Sequence, residues 1–432
     1  MNTNRRPPAE ILYNLLIPAI VGAGYTASLF HNKLREAIAG RAGWQQRWGE
    51  AAGRFAGRPV WFHVSSVGEF EQARPVIAAL ARERPDVTVA VSFSSPSGLR
   101  FARRKEALDD RNNIKFIDYL PVDFSWNTRF CLDRLHPQLV VLVKFDLWPN
   151  LIWESRRQGV PVVLIDGTLS PSSHRLSAPG QWFYRSIYAS LNKIIAISDS
   201  DAARFRSAVP GHPSITVAGD TRFDRVMDRK WQARPVGFDV DRTGRRIVIA
   251  GSTWPRDEER LLPALAAAMK EYPDTIAIIA PHEPEPERIA ALAGWAGANG
   301  LSHRRVSDGI AVPLPRVILL DAVGILAEVY RMADIAYVGG GFSTGVHSVI
   351  EPAVEGLPVL FGPVHDNSFE ALRLIEAEAA FPVRDTADML NMLRKLLEDR
   401  SAREAAGARA RRYVESQLGA TEKCVEAIAE YL

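Results

Sequence analysis

The chain has 432 residues, 47% of them apolar and 24% charged, with a formal net charge of +3. This is a globular composition, long enough for roughly two or three domains, and the charge is too small to argue for nucleic acid. Two cysteines, Cys131 and Cys424, lack CxxC spacing and indicate neither a disulfide framework nor a zinc site, so a reducing compartment is expected.

The first element is the run ILYNLLIPAIVGAGYTASLF, residues 11–30, which carries no charged residue. About 20 apolar residues is the length of a spanning helix. Asn14, Pro18, Gly22 and Gly24 weaken it, and no small-residue cleavage site follows. Lys33, Arg35, Arg41 and Arg47 come after it, against Arg5 and Arg6 before it. That bias places the long C-terminal part in the cytoplasm. We expect residues 1–34 to form a membrane anchor or interfacial helix; a helix packed on the first domain is the other reading of such a run.

Short apolar runs then alternate with helical patterns. VWFHV (60–64), VTVAVSF (87–93), IKFIDYL (114–120), QLVVLV (138–143), VPVVLID (160–166) and KIIAIS (193–198) read as strands of a parallel sheet. Residues 221–245 are charged, bear Pro and Gly, and show no periodicity, so they read as a linker. RIVIAG (246–251), TIAIIAP (275–281), RVILLD (316–321), DIAYVGGG (334–341) and LPVLFGP (357–363) restart the alternation. The expected architecture is α/β: two Rossmann-like doubly wound domains, 35–220 and 246–432, facing a cleft, with the last helices packing back on the first domain. Ligands of such sheets bind at the carboxyl ends of the strands.

Those ends carry the candidate site residues. HVSSVGEFEQARP should turn from strand to helix near Glu69, with Gly68 easing the bend. Glu69 then sits at the positive end of a helix, where its ionised form is favoured; it is either a helix cap or a catalytic carboxylate. In GGGFSTGVHSVIEP, Gly339, Gly340 and Gly341 clear space for backbone amides to meet an anion, and a helix is expected to begin near Val349. Glu351 in its first turn is placed to accept from ribose hydroxyls. In GSTWPRDEE, Ser252 and Thr253 are placed to donate to phosphate, or Thr253 caps the helix. His282 meets a phosphate or base, or is an ordinary loop histidine. The DxD triplets at 199–201 and 239–241 read as capping and linker, so no metal ligand and no cofactor is expected.

Together these segments resemble the 3-deoxy-D-manno-octulosonic acid (Kdo) transferases over effectively the whole chain. HVSSVGEFEQARP, YLPVDF, VKFDLWPNLIWE, AISDSDAARF, VAGDTRFDRV, GSTWPRDEE, APHEPEPERI, DAVGILAEVYRMADIAYVGGG and GVHSVIEPAVEGLPVLFGP stand in family order. The resemblance implies a GT-B fold and an inverting transfer of Kdo from CMP-Kdo to a tetraacylated lipid A precursor, lipid IVA, at the cytoplasmic face of the inner membrane. It assigns Glu69 as general base. It assigns CMP to Pro281 and His282, to Val323, Gly324 and Ile325, and to Ser348, Val349, Ile350 and Glu351. Ser66, Gly68, Lys144 and Asp146 stand as supporting residues in the first domain; Ser252, Thr253, Gly340, Gly341 and His347 stand as such in the second.

The chain departs from the family pattern at several of these positions. Pro281-His282-Glu283-Pro284 replaces a usual Pro-Arg-His-Pro, which removes a bidentate phosphate contact. Lys144 and Asp146 replace two Glu, Ser348 an Asn, and Ile325 a Glu. The rival readings are a GT-B enzyme using another nucleotide sugar, such as a UDP-sugar transferase or 2-epimerase, and a non-catalytic membrane-bound nucleotide-sugar binding protein.

Overall fold

Each run read above as a strand contains one, and the strands assemble into two parallel sheets. The computed structural model describes residues 6–104, 113–232, 235–310 and 313–432. β1 (Val60–Val64), β2 (Val89–Phe93), β3 (Ile114–Tyr119), β4 (Leu139–Val143), β5 (Val162–Gly167), β6 (Lys193–Ala196) and β7 (Ile215–Val217) form the first sheet, in the order β3-β2-β1-β4-β5-β6-β7. β8 (Arg246–Thr253), β9 (Thr275–Pro281), β10 (His303–Arg305), β11 (Val317–Leu319), β12 (Ile335–Val338), β13 (Val359–Phe361) and β14 (Ala380–Pro382) form the second, in the order β10-β11-β9-β8-β12-β13-β14.

Both faces of each sheet are covered, which is why the strands read as continuous apolar runs. In β1, Val60, Phe62 and Val64 point into one core and Trp61 into the other. In β8, Val248 and Ala250 belong to one core, Ile247 and Ile249 to the opposite one. The order of strands reverses between β1 and β4 and again between β8 and β12. These two switch points are where an open parallel sheet leaves a crevice at its carboxyl edge.

The chain divides into residues 1–225 with 418–432, and residues 226–417. The helix Ala420–Ala429 belongs to the first unit, where Cys424, Val425 and Ile428 share a core with Val76, Ile77 and Leu80 of the helix Val67–Glu83. Part of the stretch read as a linker is a helix, Thr221–Trp231. Its charges hid a short apolar repeat: Phe223 and Met227, four residues apart, are both buried.

The N-terminal run forms the helix Pro8–Ser28, with an 18-residue window of mean hydropathy 1.4. Its first half is docked on the first unit by polar contacts. Buried Glu10 pairs with Arg157 at 2.7 and 3.0 Å, the Tyr13 hydroxyl donates to Asp123 at 2.9 Å, and Asn14 bonds Asn150. The opposite side leaves Leu12, Leu15, Leu16 and Ile20 exposed.

Candidate active site

Glu69 lies at the first switch point. Strand β1 ends at Val64, and the helix Val67–Glu83 begins after Ser66, whose hydroxyl accepts from the Glu69 N–H at 3.3 Å. The Glu69 carboxylate reaches back to accept from the Ser65 N–H. This is the reciprocal logic of a capping box, shifted by one residue. The carboxylate is therefore a cap, and it is also 4% exposed at the carboxyl edge of the sheet. Gly68 does not make the bend: it sits inside the helix's first turn, without a positive φ, and an added Cβ would meet only the Ser66 hydroxyl at 3.8 Å.

The expectation that the helix end keeps Glu69 ionised is corrected by its surroundings. Burial pushes its pKa up to about 7; the Ser65 N–H and the Lys144 charge oppose this, and the Asp146 charge adds to it. Lys144 holds a left-handed φ of 66° in the loop after β4.

Asp146 follows β4 and crosses the switch point to β1. Its Oδ2 meets His63 Nε2 at 3.2 Å, accepts from Trp148 Nε1 at 2.7 Å, and accepts from the Ser65 hydroxyl. Burial would raise its pKa, but the bonds from His63 and Trp148 hold it below the usual carboxylate range. His63 is fully buried. Its Nδ1 meets Ser92 Oγ at 2.8 Å, and Ser92 in turn accepts from Trp61 Nε1 at 2.8 Å. The ionised Asp146 carboxylate only accepts, so His63 Nε2 donates to it, and Nδ1 of a neutral ring then accepts from the Ser92 hydroxyl. Sequence reasoning passed over His63 and Ser65. The only local signal for His63 is one polar residue in an otherwise apolar strand.

The second unit gathers its candidates at its own switch point. Thr253, ending β8, is buried, and its hydroxyl donates to Glu258 at 2.7 Å. It is neither a helix cap nor a free donor; Trp254 occupies the N-cap position. Ser252, half-buried, has a left-handed φ of 53°. Asp257 is the hub that sequence reasoning missed. Fully buried, it accepts from Trp254 N at 2.9 Å, Gly340 N at 2.8 Å, Phe342 N at 3.2 Å and Tyr337 Oη at 2.8 Å.

The glycine run has a packing reason in place of the expected anion cradle. β12 ends at Val338, the Gly340 amide is committed to Asp257, and Gly340 has φ 92°. A Cβ on Gly341 would come within 2.5 Å of the Gly362 backbone. The helix expected near Val349 is a single short turn, Ile350–Val354, with Val349 and Ile350 buried and Ser348 exposed before it.

The three assigned nucleotide segments do converge. His282, beyond the buried Pro281, stacks on His347 with ring centroids 4.5 Å apart. Arg229, on the helix Thr221–Trp231, donates to the Gly324 carbonyl at 2.8 Å and to Glu328 at 2.8 Å, and lies 3.7 Å from Glu351. It thereby ties Val323-Gly324-Ile325 to Ser348–Glu351. Val323 is 83% exposed, and Gly324 takes the left-handed φ of 90° that its turn requires. No group of three His, Cys, Asp or Glu suited to a metal occurs among the described residues.

The comparisons with known proteins fall on this frame. A family model for 3-deoxy-D-manno-octulosonic-acid transferase (kdotransferase) matches residues 42–225. The 3-deoxy-D-manno-octulosonic acid transferase of Bordetella pertussis is 31% identical over 382 residues, covering 87% of this chain and 87% of that protein. That of Haemophilus influenzae is 26% identical over 383 residues, covering 86% of this chain and 87% of its own length. Among solved structures, UDP-GlcNAc 2-epimerase from Neisseria meningitidis bound to UDP-GlcNAc is similar in fold. Its TM-score is 0.61 at 16% identity, over 86% of this chain and 100% of that one. Two seven-stranded parallel sheets with covering helices give this chain a GT-B-like architecture. By sequence the chain belongs to the 3-deoxy-D-manno-octulosonic acid transferase family, and it is a glycosyltransferase of lipopolysaccharide biosynthesis.

Proposed function

We propose that this enzyme transfers Kdo from CMP-Kdo to a tetraacylated lipid A precursor, lipid IVA, with Glu69 as general base. The observation that carries the reading is the Glu69 carboxylate: buried at the first switch point, oriented by the Ser65 N–H, and with its pKa pushed up to about 7. A base is most useful when its pKa lies near the working pH. An acceptor hydroxyl loses its proton to Glu69 as its oxygen bonds the anomeric carbon. The bond from that carbon to the phosphate oxygen breaks, CMP leaves with the electron pair, and the configuration inverts.

The CMP moiety is assigned to the second unit. Pro281 and His282, Val323 through Ile325, and Ser348 through Glu351 surround it, with Ser252 and His347 beside them. Lys144 and Asp146 set the charge around Glu69, with Ser66 capping its helix and Gly68 in the first turn. The leaving group carries one phosphate, so we assign no metal. The apolar side of Pro8–Ser28 is assigned to the cytoplasmic face of the inner membrane. Its first half is held to the first unit by Glu10, Tyr13 and Asn14, which supports a helix lying along the bilayer surface.

The test is transfer of radiolabelled Kdo from CMP-Kdo, generated in situ, to the acceptor, with and without EDTA. Wild type should label the lipid in both conditions, and Glu69→Gln should lose about 10²–10⁴ in rate, the range for general-base loss. No lipid label from folded wild type would overturn the donor or acceptor assignment. Equal rates in both proteins would return Glu69 to a purely structural cap.

A further inference from the structure

One cluster in the second unit joins Trp254 to His282 and His347, two residues assigned above to the CMP site. Trp254 follows β8, His282 follows β9 and His347 follows β12. The Trp254 indole N–H donates to His347 Nε2 at 2.8 Å, and the two rings lie within 17° of parallel. His282 stacks on both, with centroids 4.7 Å from Trp254 and 4.5 Å from His347, and interplanar angles of 27° and 12°. Each residue is pinned through its backbone. Trp254 N donates to Asp257 at 2.9 Å, His282 N to the Thr253 carbonyl at 3.0 Å, and His347 N to the Gly339 carbonyl at 3.0 Å.

The chemistry of this pair is asymmetric. An indole N–H only donates, so His347 Nε2 must accept, and a neutral imidazole that accepts at Nε2 carries its proton on Nδ1. An imidazolium would set two N–H groups against each other. Burial and the neighbouring His282 push the His347 pKa down, which favours the neutral ring. His347 Nδ1 has no protein partner among the described residues, and the ring is half-buried.

We propose that Trp254 is a positioning residue for the nucleotide-sugar donor: its indole N–H locks His347 in the Nδ1–H tautomer, so that a fixed N–H faces an anionic oxygen of that ligand. The inference rests on the CMP-Kdo reading, whose donor offers two such oxygens, a phosphate on the CMP side and a carboxylate on the sugar.

The experiment uses full-length protein in detergent with ¹⁵N-labelled histidine, and His347→Gln to assign the His347 resonances. In wild type the long-range ¹H–¹⁵N pattern should be that of the Nδ1–H tautomer. CMP alone, free Kdo alone and CMP-Kdo are then titrated. A shift with CMP assigns the phosphate, and a shift with Kdo assigns the carboxylate. Trp254→Phe keeps an aromatic ring in the stack and removes the donor. It should populate the other tautomer and raise the KM for CMP-Kdo about tenfold, the effect of one hydrogen bond, with kcat changed by less than about twofold. An Nε2–H tautomer in wild type, no shift with any of the three ligands, or a Trp254→Phe variant unchanged in both spectrum and KM would each overturn the proposal. Because the tautomer is read on the unliganded wild type, a variant that misfolds does not block the test. A wild type that transfers no Kdo would sink the donor reading itself, while the tautomer and the CMP titration still decide the role of Trp254.

Discussion

A carboxyl with a pKa of about 7 is half ionised at neutral pH, so Glu69 changes charge inside the working range. In the proposed role of base it acts ionised. The rate should therefore rise with pH through about 7 and level off above it, which a kcat/KM profile from pH 5 to 9 would read. Stability runs the other way. The folded pKa lies above the unfolded value of 4.5, so the folded state prefers the neutral form. The cost of ionising Glu69 appears as pH rises through 4.5 and is complete above about 7. Glu69→Gln should then stabilise the protein at pH 8, by up to about 3 kcal/mol at 1.36 kcal/mol per pKa unit, and by nearly nothing at pH 4; thermal melts at the two pH values would show it. Asp146→Asn removes a negative neighbour that raises the Glu69 pKa, so the acid limb of the rate profile should move to lower pH. An unmoved limb would mean that burial alone sets it. At this scale the sequence exposed Glu69 through its turn and the family motif. His63, Asp257, Arg229 and Trp254 were illegible because their roles come from partners dozens of residues away, across the carboxyl edge of a sheet.

The inner strands were legible because burial on both faces leaves long apolar runs. β7, β10 and β14 were not: they are three-residue edge strands, and His303–Arg305 is fully exposed, so no apolar pattern marks it. The N-terminal helix was legible by length and apolarity, but not its docking, since Glu10 and Asn14 find their partners more than a hundred residues on. Two predictions belong to this helix. Leu15, Leu16 and Ile20 face solvent at 72%, 49% and 59% exposure. Changing all three to Asp should leave the melting temperature nearly unchanged. It should lower binding to anionic vesicles by more than about 100-fold, since each apolar side chain buried contributes about 1.5–3 kcal/mol. Co-sedimentation reads this, and undiminished binding would remove the helix from the membrane. Arg157→Ala removes the guanidinium shared by the buried carboxylates of Glu10 and Glu154, which keep Arg6 at 3.6 Å and Arg129 at 3.3 Å. It should cost about 1–3 kcal/mol, the usual penalty when a buried group loses a hydrogen-bond partner, read as a lower unfolding midpoint in urea.

At the level of the whole chain, the first unit is discontinuous. The helix Ala420–Ala429 returns to it after the second unit is complete, with the Gly419 and Thr421 amides donating to Asp224 at 2.8 and 2.7 Å. Truncation after Gln417 should uncover the core around Ile77 and Leu80. Calorimetry should then show the first unit melting earlier, while residues 226–417 keep their own transition.

That return helix also orders events during synthesis. Residues up to 225 are made before residues 226–417, and the residues that complete the core beneath the helix bearing Glu69 follow both. The core under Glu69 therefore closes only after translation has passed the whole of residues 226–417.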